Sequence, residues 1–382
     1  MTTWSFPNVP RPPDWQVDWD ALVRRLGWLR KLAGVPQEPD YHGEGDVLTH
    51  TQMVAAALAR MDAWRALPEN ERAVLFAAAL LHDIAKPART RVEPDGRISS
   101  PGHALAGATL AHYLLWIGAG LPDPPPFPWR AAVARLVRAH GLPLWFYAKS
   151  DPRRVLLAAA QTMRLDHVAL LAEADVRGRI CADQRELLDR IAYFRTYCEE
   201  VGCANSHYPF VSDHSRFVYF ASDPEAMADP ARAAYDDTVC EVILLAGVPG
   251  AGKDSWIAAH HADWPVISLD AIRRERHISP TGGQGAVVQE ARARARDLLR
   301  RQQSFIWNAT NITRTLRAQL ITLFAAYHAR VRIVYLDAPF ATLLARNQAR
   351  EHAVPEAVIH RMARHLEIPD ATEAPSVEWI WE

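Results

Sequence analysis

A glycine-rich stretch, GVPGAGKDSW at residues 247–256, has nearly the residue types and spacing of a phosphate-binding loop. The pattern G-x-x-x-x-G-K-[ST] is met by Gly247, Gly252 and Lys253, but its last position holds Asp254. Glycines let backbone amides turn towards a polyphosphate, and the start of the following helix adds partial positive charge. This stretch predicts an ATP site with contacts from Gly247, Pro249, Gly250, Ala251, Gly252, Lys253, Asp254 and Ser255.

Asp254 decides whether this loop is functional. Mg²⁺ prefers hard oxygen ligands in octahedral geometry, and a carboxylate meets that need as well as a hydroxyl does. An acidic side chain in the first turn of a helix is also favoured by the helix dipole. We therefore expect Asp254 to bind Mg²⁺, directly or through water, and we expect Asp254→Ser to retain much of the activity.

A carboxylate and a guanidinium follow the second apolar run, in ISLDAIRRER. Asp270 and Arg273 are three residues apart, so a helix places them on one face. The carboxylate can accept a hydroxyl proton as general base, and the guanidinium can hold a phosphodiester. The alternative is a helix-capping aspartate with a local ion pair.

Two further segments carry polar groups that suit phosphoryl transfer. Arg346 and Arg350 are four residues apart, and such a pair could close over a nucleotide and stabilise the transferring charge, or form a solvated arginine face. The segment NATN ends the third apolar run beside the loop. Its Thr310 and Asn311 are candidates for orienting substrate or magnesium-bound water.

Residues 241–370 resemble the polynucleotide 5′-hydroxyl kinase family through the glycine loop, the D-x-x-R element, the TN turn and VYLDAPFATLLARNQAREHAVP. The family often has aspartate where this chain has Ala309, so the role of that position does not carry over. The resemblance implies Lys253 on the ATP phosphates, Asp270 as general base for a 5′-OH, Arg273 on the acceptor phosphate, Arg350 as a lid arginine on the donor and Arg346 as its support.

Histidines and aspartates recur through the first half of the chain, in LTHTQMV, LLHDIAKP, PGHALAGA, VRAHGLP and LAEADVRGR. Imidazole and carboxylate together suit a divalent transition metal with open positions for water, and such a site can hydrolyse phosphoesters. Lys86 follows the His-Asp pair and is a candidate substrate contact. The candidate ligands are His50, His82, Asp83, His103, His140 and Asp175.

This series resembles the HD phosphohydrolase superfamily, and most closely the HD domain of tRNA nucleotidyltransferases, which share HT-x-M-V, G-H-x-x-x-G-A and EAD-x-x-GR. The resemblance implies His50, His82, Asp83 and Asp175 as ligands of Mn²⁺, Ni²⁺ or Co²⁺. His103 and His140 are then ligands of a second metal or phosphate contacts. The remaining expectations are a nearby but unassigned His42, structural roles for His112 and His167, and a helix-capping role for Asp166.

The elements that must position these residues differ between the two halves. Apolar residues at three-and-four spacing predict helices over 51–64, 71–81, 104–116, 129–140, 153–163 and 167–177. From residue 241, short apolar runs alternate with amphipathic segments at 287–301, 314–328 and 341–349, which predicts a parallel α/β sheet. The expected domains are a helical HD domain at 1–197, a linker or packed arm at 198–237, and an α/β P-loop kinase domain at 238–382.

Composition places few limits on function. The 382 residues carry a formal charge of −1, so any nucleic-acid contact must be a local patch. None of the four cysteines forms C-x-x-C, and no zinc spacing appears. No apolar run reaches the length of a membrane span. We expect a cytoplasmic protein with reduced thiols, as a monomer or homodimer without a membrane partner.

Together the two halves resemble the bacterial fusions of an HD phosphohydrolase with a polynucleotide kinase, which heal the ends of broken nucleic acids. That resemblance implies ATP-dependent phosphorylation of 5′-OH ends of RNA, DNA or both, with Mg²⁺. It also implies metal-dependent removal of 2′,3′-cyclic, 2′- or 3′-phosphates. The alternatives are a small-molecule or nucleoside kinase with an HD nucleotidase, and a non-catalytic regulator gated by nucleotide.

Overall fold

The computed structural model describes residues 4–226, 228–279 and 282–382, apart from the side chain of residue 284. The chain forms two compact units, Met1–Tyr208 and Pro209–Glu382. Each unit has its own buried apolar core. Across the described residues no single helix is long and apolar enough to cross a bilayer; one helix pair bent by 107°, Pro152–Ala160 with Leu165–Arg177, passes that test by length and composition alone.

The first unit is helical, as the periodicity predicts, with a single two-residue hairpin among its described residues. Strands β1 and β2 of that hairpin are Arg91–Val92 and Ile98–Ser99. The helices are α1 Trp19–Arg25, α2 Val47–Arg60, α3 Asp62–Arg65, α4 Glu69–Leu81, α5 Lys86–Arg89, α6 His103–Trp116, α7 Phe127–Ala139, α8 Leu142–Trp145, α9 Pro152–Ala160, α10 Leu165–Arg177 and α11 Gln184–Val201.

Helix α4 is the centre of this unit. Every residue from 73 to 81 is buried, and α4 packs against α2, α7 and α10. Its sequence, AVLFAAALL, is apolar on all sides, as expected for a helix surrounded by others. The helix therefore delivers the residues that follow it, His82 and Asp83, into the interior.

Helix α2 begins four residues earlier than the apolar pattern predicts. Asp46 caps it by accepting hydrogen bonds from the backbone N–H and the hydroxyl of Thr49, at 2.9 and 2.7 Å. Its end at Arg60 separates it from the short α3, so the predicted continuous helix over 51–64 is two elements. Because of this earlier start, His50 lies within the first turn of α2.

The second unit is an α/β domain, and its five-stranded parallel sheet confirms the predicted fold class. The strands lie in the order β4-β5-β3-β6-β7. They are β3 Cys240–Ala246, β4 Val266–Ser268, β5 Phe305–Asn308, β6 Ala329–Asp337 and β7 Ser376–Trp381. The helices are α12 Asp213–Ala221, α13 Lys253–His260, α14 Leu269–Glu275, α15 Gln284–Arg300, α16 Arg314–Ala325, α17 Phe340–Gln348 and α18 Glu356–Arg364.

Strand β3 occupies the middle of the sheet, paired with β5 on one side and β6 on the other. The chain first builds β4 and β5 on one side of β3 and then crosses to build β6 and β7 on the other. Ligands of open parallel sheets bind where the strand order reverses, beyond the carboxyl ends of the strands. The loop after β3 lies at that point.

Residues 198–237, which the sequence leaves as a linker or packed arm, divide between the two units. Residues 198–201 end α11, whereas residues from 209 onwards belong to the second unit and form α12. Arg216 of α12 donates hydrogen bonds to the carbonyls of Ala371 and Pro375, at 2.9 and 2.8 Å. Helix α12 is therefore packed onto the segment that precedes β7.

Candidate metal centre and nucleotide loop

Four of the expected metal ligands meet where three packed helices of the first unit converge. His50 Nε2 lies 3.2 Å from His82 Nε2 and 3.1 Å from Asp175 Oδ1. His82 Nε2 lies 3.2 Å from Oδ2 of Asp83. All four side chains are buried. The structure therefore assembles a group of donors from α2, α10 and the end of α4.

A second group of donors shares Asp83. Its Oδ1 lies 3.6 Å from Nε2 of His103, and that atom lies 3.4 Å from Nε2 of His140. His103 begins α6 and His140 follows the last residue of α7, two helices that pack closely. The sequence predicts these two histidines either as ligands of a second metal or as phosphate contacts. Their position beside the first group, which they adjoin through the Asp83 carboxylate, fits either role.

The ring orientations fit metal binding. The Nδ1 atoms of His82, His103 and His140 lie 2.7, 2.8 and 2.8 Å from the carbonyls of Ala79, Ser100 and Val137. A carbonyl can only accept a hydrogen bond, so each Nδ1 carries the proton and each Nε2 presents a lone pair to the cluster.

Facing lone pairs need a positive partner. The Nε2 atoms of His103 and His140 point at each other, and Oδ1 of Asp83 is buried without a hydrogen-bond partner among the described residues. Burial lowers the pKa of His140 to about 4, which keeps that imidazole neutral. Buried neutral imidazoles and carboxylates are the donor set of a divalent transition metal, so these residues fit such an ion.

Cationic side chains beside the cluster hold the two carboxylates ionised. Burial alone would raise the pKa of Asp83, but the Lys86 ammonium holds it well below its usual range. Burial acts in the same direction on the pKa of Asp175, which the Arg179 guanidinium holds well below its usual range. Both carboxylates therefore remain available as ligands at neutral pH.

Lys86, expected from the sequence to contact substrate, is itself part of this network. Its Nζ lies 2.7 Å from Oδ2 of Asp83 and donates to Oε1 of Gln37 at 2.6 Å. The ammonium is largely buried. It lies at the edge of the cluster, where it is able to balance Asp83 or a bound phosphate.

The other histidines of this unit have separate surroundings. His112 is buried against Trp116 and Phe127, and Nε2 of His167 lies 3.0 Å from Oε2 of Glu71. The sequence predicts that Asp166 caps its helix from the position before it, but the structure places Asp166 inside the helix. Helix α10 begins one residue earlier with Leu165, and the Asp166 carboxylate pairs with Arg164 from within the first turn.

Two residues of the cluster's surroundings were missed by sequence reasoning. Glu44 lies 2.8 Å from Nδ1 of both His42 and His50. Arg179 forms two contacts with Asp175, at 3.0 and 2.5 Å. The signal for Arg179 was its position four residues after Asp175, just beyond the end of α10. The signal for Glu44 was a lone acid between two glycines beside His42.

In the second unit, the glycine loop runs from the end of β3 to the start of α13, as the pattern predicts. Gly247, Gly250 and Gly252 have φ values of 142°, 86° and 93°. A Cβ at Gly250 would lie 2.5 Å from the carbonyl oxygen of Leu343, and one at Gly247 would lie 2.6 Å from that of Leu336. These positions accept only glycine, because the loop backbone is wedged against the end of β6 and α17.

Lys253 begins α13, and its ammonium folds back over the loop. Its Nζ donates to the carbonyls of Gly247 and Val248, at 2.8 and 3.0 Å. Burial lowers the pKa of Lys253 to about 8. The charge is therefore held close to the backbone that would surround a polyphosphate.

Asp254 faces the neighbouring strand. Its Oδ1 accepts a hydrogen bond from Nδ2 of Asn308 at 2.7 Å, and its Oδ2 lies 3.6 Å from Nη2 of Arg350. The side chain is 73% exposed, which leaves carboxylate oxygen accessible to an ion. Arg346, the other predicted lid arginine, donates to Glu382 at 2.8 Å.

The predicted substrate residues of the TN turn support the loop through the backbone. The carbonyl of Thr310 accepts from the Gly247 N–H at 2.9 Å. The buried amide of Asn311 donates to the carbonyl of Leu245 at 2.6 Å. The Asn311 side chain is thus directed at the backbone of β3, and its expected contact with substrate or magnesium-bound water stays a prediction.

Asp270 and Arg273 lie beyond the carboxyl end of β4, on the same sheet edge as the loop. They form an ion pair across one turn of α14. Ser268, the last residue of β4, is in register with Asn308, the partner of Asp254. The Asp270 side chain is 80% exposed. The expected general base is therefore accessible to a large acceptor.

Comparison with known proteins supports both regions. Residues 47–176 match the HD domain family, and residues 242–369 match an AAA domain family. The Multifunctional CCA protein of Ralstonia nicotianae is 49% identical over 69 residues, which are 18% of this chain and 14% of that protein. Its namesake in Halorhodospira halophila is 44% identical over 87 residues, 23% of this chain and 18% of that protein.

Heterogeneous nuclear ribonucleoprotein U-like protein 2 of Mus musculus is 22% identical over 212 residues, 49% of this chain and 28% of that protein. This chain therefore spans 28% or less of the three curated relatives. A crystal structure of a candidate kinase from Chloroflexus aurantiacus aligns with 38% of this chain and 86% of its own, at 16% identity and a TM-score of 0.32.

The buried His/Asp cluster lies in the region that matches the HD family, and the glycine loop lies in the region that matches the AAA domain. The chain is thus a fusion of an HD phosphohydrolase domain and a P-loop kinase-like domain.

Proposed function

We propose that this protein heals the two ends of a broken nucleic acid strand. The second unit would transfer phosphate from ATP to a 5′-OH end, and the first would remove a 2′,3′-cyclic, 2′- or 3′-phosphate. Both products are what a ligase requires, so one chain would prepare both termini for joining.

The observation that carries the kinase half is the open position of Asp270. This carboxylate lies at the sheet edge of the nucleotide loop and is 80% exposed. An enclosed pocket for a free nucleoside would bury its catalytic base, whereas a chain end needs an open approach. Arg274 on the same short helix and Arg276, the residue that follows it, are also exposed and favour a phosphodiester.

Each kinase residue then has a defined task. Lys253 neutralises the terminal phosphates of the donor, and Asp270 accepts the proton of the attacking hydroxyl. Arg273, beside Asp270, positions the phosphate of the acceptor. Arg350, 3.6 Å from Asp254, stabilises charge on the transferring group.

The hydrolase half rests on the shared carboxylate of Asp83. His50, His82, Asp83 and Asp175 would hold one divalent cation, with His103 and His140 completing a second set around Asp83 or binding phosphate. A cation in such a site lowers the pKa of coordinated water and so supplies a nucleophile. Lys86 places its positive charge beside the developing phosphate charge.

One curated relative has ribonucleoprotein in its name, which agrees with an RNA acceptor. A small-molecule kinase fused to an HD nucleotidase, and a non-catalytic regulator, are the competing functions. Their outcomes differ: the first would label nucleosides rather than oligonucleotides, and the second would bind ATP without transferring phosphate.

The kinase half is tested with γ-labelled ATP, Mg²⁺ and an RNA or DNA oligonucleotide ending in 5′-OH. Wild type is expected to label the oligonucleotide, and Asp270→Ala to lose at least about 100-fold in rate, because general-base catalysis contributes that much. Asp263→Ala, which removes another exposed aspartate of the same unit, is the matched control and should resemble wild type. Label on nucleosides alone would refute the proposal.

The hydrolase half is tested with an oligonucleotide ending in a 2′,3′-cyclic phosphate and with Mn²⁺. Phosphate release is expected from wild type and not from Asp83→Ala. Asp62→Ala, at a position 97% exposed on α3, should remain active. Failure of wild type on cyclic, 2′- and 3′-phosphate ends with Mn²⁺, Ni²⁺ and Co²⁺ would rule this half out.

A further inference from the structure

A buried glutamate lies behind the metal cluster. Glu44 occupies the loop between two glycines that precedes α2, and its side chain is fully buried. An ionised carboxylate is costly to bury unless its oxygens are matched by donors. Its surroundings therefore identify what this carboxylate holds in place.

Both oxygens of Glu44 have partners. Oε2 accepts a hydrogen bond from the backbone N–H of Ile180 at 2.8 Å. Oε1 is hydrogen-bonded to Nδ1 of His42 at 2.8 Å. The same oxygen lies 2.8 Å from Nδ1 of His50, a buried atom that has no hydrogen-bond partner among the described residues. The carboxylate thus connects the loop that follows α10 to the first turn of α2.

His50 differs from the other histidines of the cluster in what its Nδ1 faces. The rings of His82, His103 and His140 are each oriented by a backbone carbonyl three residues earlier. In His50 the corresponding atom faces a carboxylate from outside its helix. On the far side of the ring, Nε2 lies 3.1 Å from Oδ1 of Asp175 and 3.2 Å from Nε2 of His82.

We infer that Glu44 is a positioning residue for the metal centre: when the cation is bound, its Oε1 accepts a hydrogen bond from the Nδ1–H of His50 and so keeps the Nε2 lone pair of that ring directed at the cation. A carboxylate behind a metal-binding imidazole fixes its tautomer and increases its basicity. His42 and Ile180 hold Glu44 in turn, which prevents the carboxylate from swinging into the cluster. This inference rests on the proposed metal centre.

Gln is an informative replacement because it keeps the shape of Glu44 and exchanges one oxygen for an NH₂ group. The Ile180 N–H lies on one oxygen of the carboxylate and two imidazole Nδ1 atoms lie beside the other, so either orientation of the amide sets its NH₂ against an N–H group. Glu38→Gln is the matched control: Glu38 lies in the same loop region, and its carboxylate accepts only the Ile98 N–H, at 2.8 Å, among the described hydrogen bonds.

The experiment measures Mn²⁺ binding to the metal-free full-length protein by calorimetry. Glu44→Gln is expected to weaken binding by about 10- to 100-fold, the usual effect of removing such a partner. Glu38→Gln should bind like wild type, and Glu44→Asp should fall between wild type and Glu44→Gln. If Glu44→Gln does not fold, Glu44→Asp carries the same comparison.

A second readout separates positioning from a purely structural role. In metal-free protein with ¹⁵N-labelled histidine, NMR should show His50 protonated at Nδ1 in wild type and a changed tautomer in Glu44→Gln. Unchanged affinity or an unchanged His50 tautomer in a folded Glu44 variant would overturn the inference. Loss of one whole bound ion would overturn it too, since Glu44 would then be a ligand. Wild type that binds no divalent cation refutes the metal centre itself.

Discussion

At the scale of single residues, Asp254 has the surroundings that its unusual place in the loop pattern demands. Its carboxylate lies between the amide of Asn308 and the guanidinium of Arg350, and most of its surface is exposed. An aspartate that had merely replaced a lost serine would not need partners from two other segments. These contacts support a working Mg²⁺ ligand.

We expect Asp254→Ser to retain much of the kinase activity, because a hydroxyl also serves as a hard oxygen ligand. Asp254→Ala offers no oxygen and should need at least about tenfold more Mg²⁺ for half-maximal rate. Initial rates across a magnesium titration test both variants. A serine variant without activity at saturating Mg²⁺ would contradict the assigned role.

The lowered pKa of Lys253 leads to a prediction of how ATP affinity depends on pH. Burial lowers its pKa to about 8 in the free protein, and only the protonated form attracts phosphate. ATP affinity should therefore be complete below this pKa and weaken as the pH rises through it. Titration calorimetry between about pH 7 and about pH 9.5, above the range in which phosphates titrate, measures the effect.

Two variants control this pH experiment. Lys149→Gln removes an exposed lysine of the other unit and should keep the inflection. Lys253→Arg remains charged throughout and should lose the inflection, whatever its absolute affinity. A wild-type affinity that does not change over this range would show that the Lys253 charge is not needed for ATP binding.

At the scale of secondary-structure elements, the glycine loop is shaped by what packs behind it. Gly247 touches the carbonyl at the end of β6, and Gly250 touches that of Leu343 in α17. The loop conformation therefore depends on elements about ninety residues away in sequence, and α17 also carries Arg346. The helix that carries the predicted lid arginine Arg346 therefore packs directly against the glycine loop.

Gly250→Ala should lose ATP binding and lower the free energy of unfolding by more than about 1 kcal/mol, because φ is positive there and a Cβ would overlap Leu343 O. Gly285→Ala is the control, since that glycine lies in the first turn of α15 with open space around it; the free energy of unfolding of this variant should not fall. Denaturant unfolding and ATP titration measure the two effects. Normal ATP binding by the Gly250→Ala variant would show that the loop backbone can shift to accommodate the Cβ.

At the scale of the whole molecule, each unit has its own core and its own site. Metal binding and nucleotide binding should therefore be separable within the full chain. The expectation for Asp83→Ala is lost Mn²⁺ binding at the HD cluster with unchanged ATP affinity, and for Lys253→Ala the reverse. Calorimetry with each ligand on each variant measures this. Loss of both Mn²⁺ binding and ATP binding in one folded variant would show that the sites depend on each other.

Much of the architecture was predictable because its signals are local. Helical spacing in the first half, alternating apolar runs in the second and the glycine turn after the first strand each lie within one segment. The same holds for the cluster ligands, which stand in short recognisable strings. Element ends were less predictable, as at α2, where the Asp46 cap outweighs the apolar spacing.

Residue types and their spacing along the chain were enough to indicate the candidate site residues and the elements that carry them. How those residues combine depends on packing between distant segments. Asp83 adjoins two groups of donors, and Glu44 reaches Ile180 across 136 positions of the chain. Asn311 donates a hydrogen bond to the Leu245 carbonyl, and Asn308 donates one to Asp254. These contacts join segments far apart in sequence, so they follow from packing, and no local pattern encodes them.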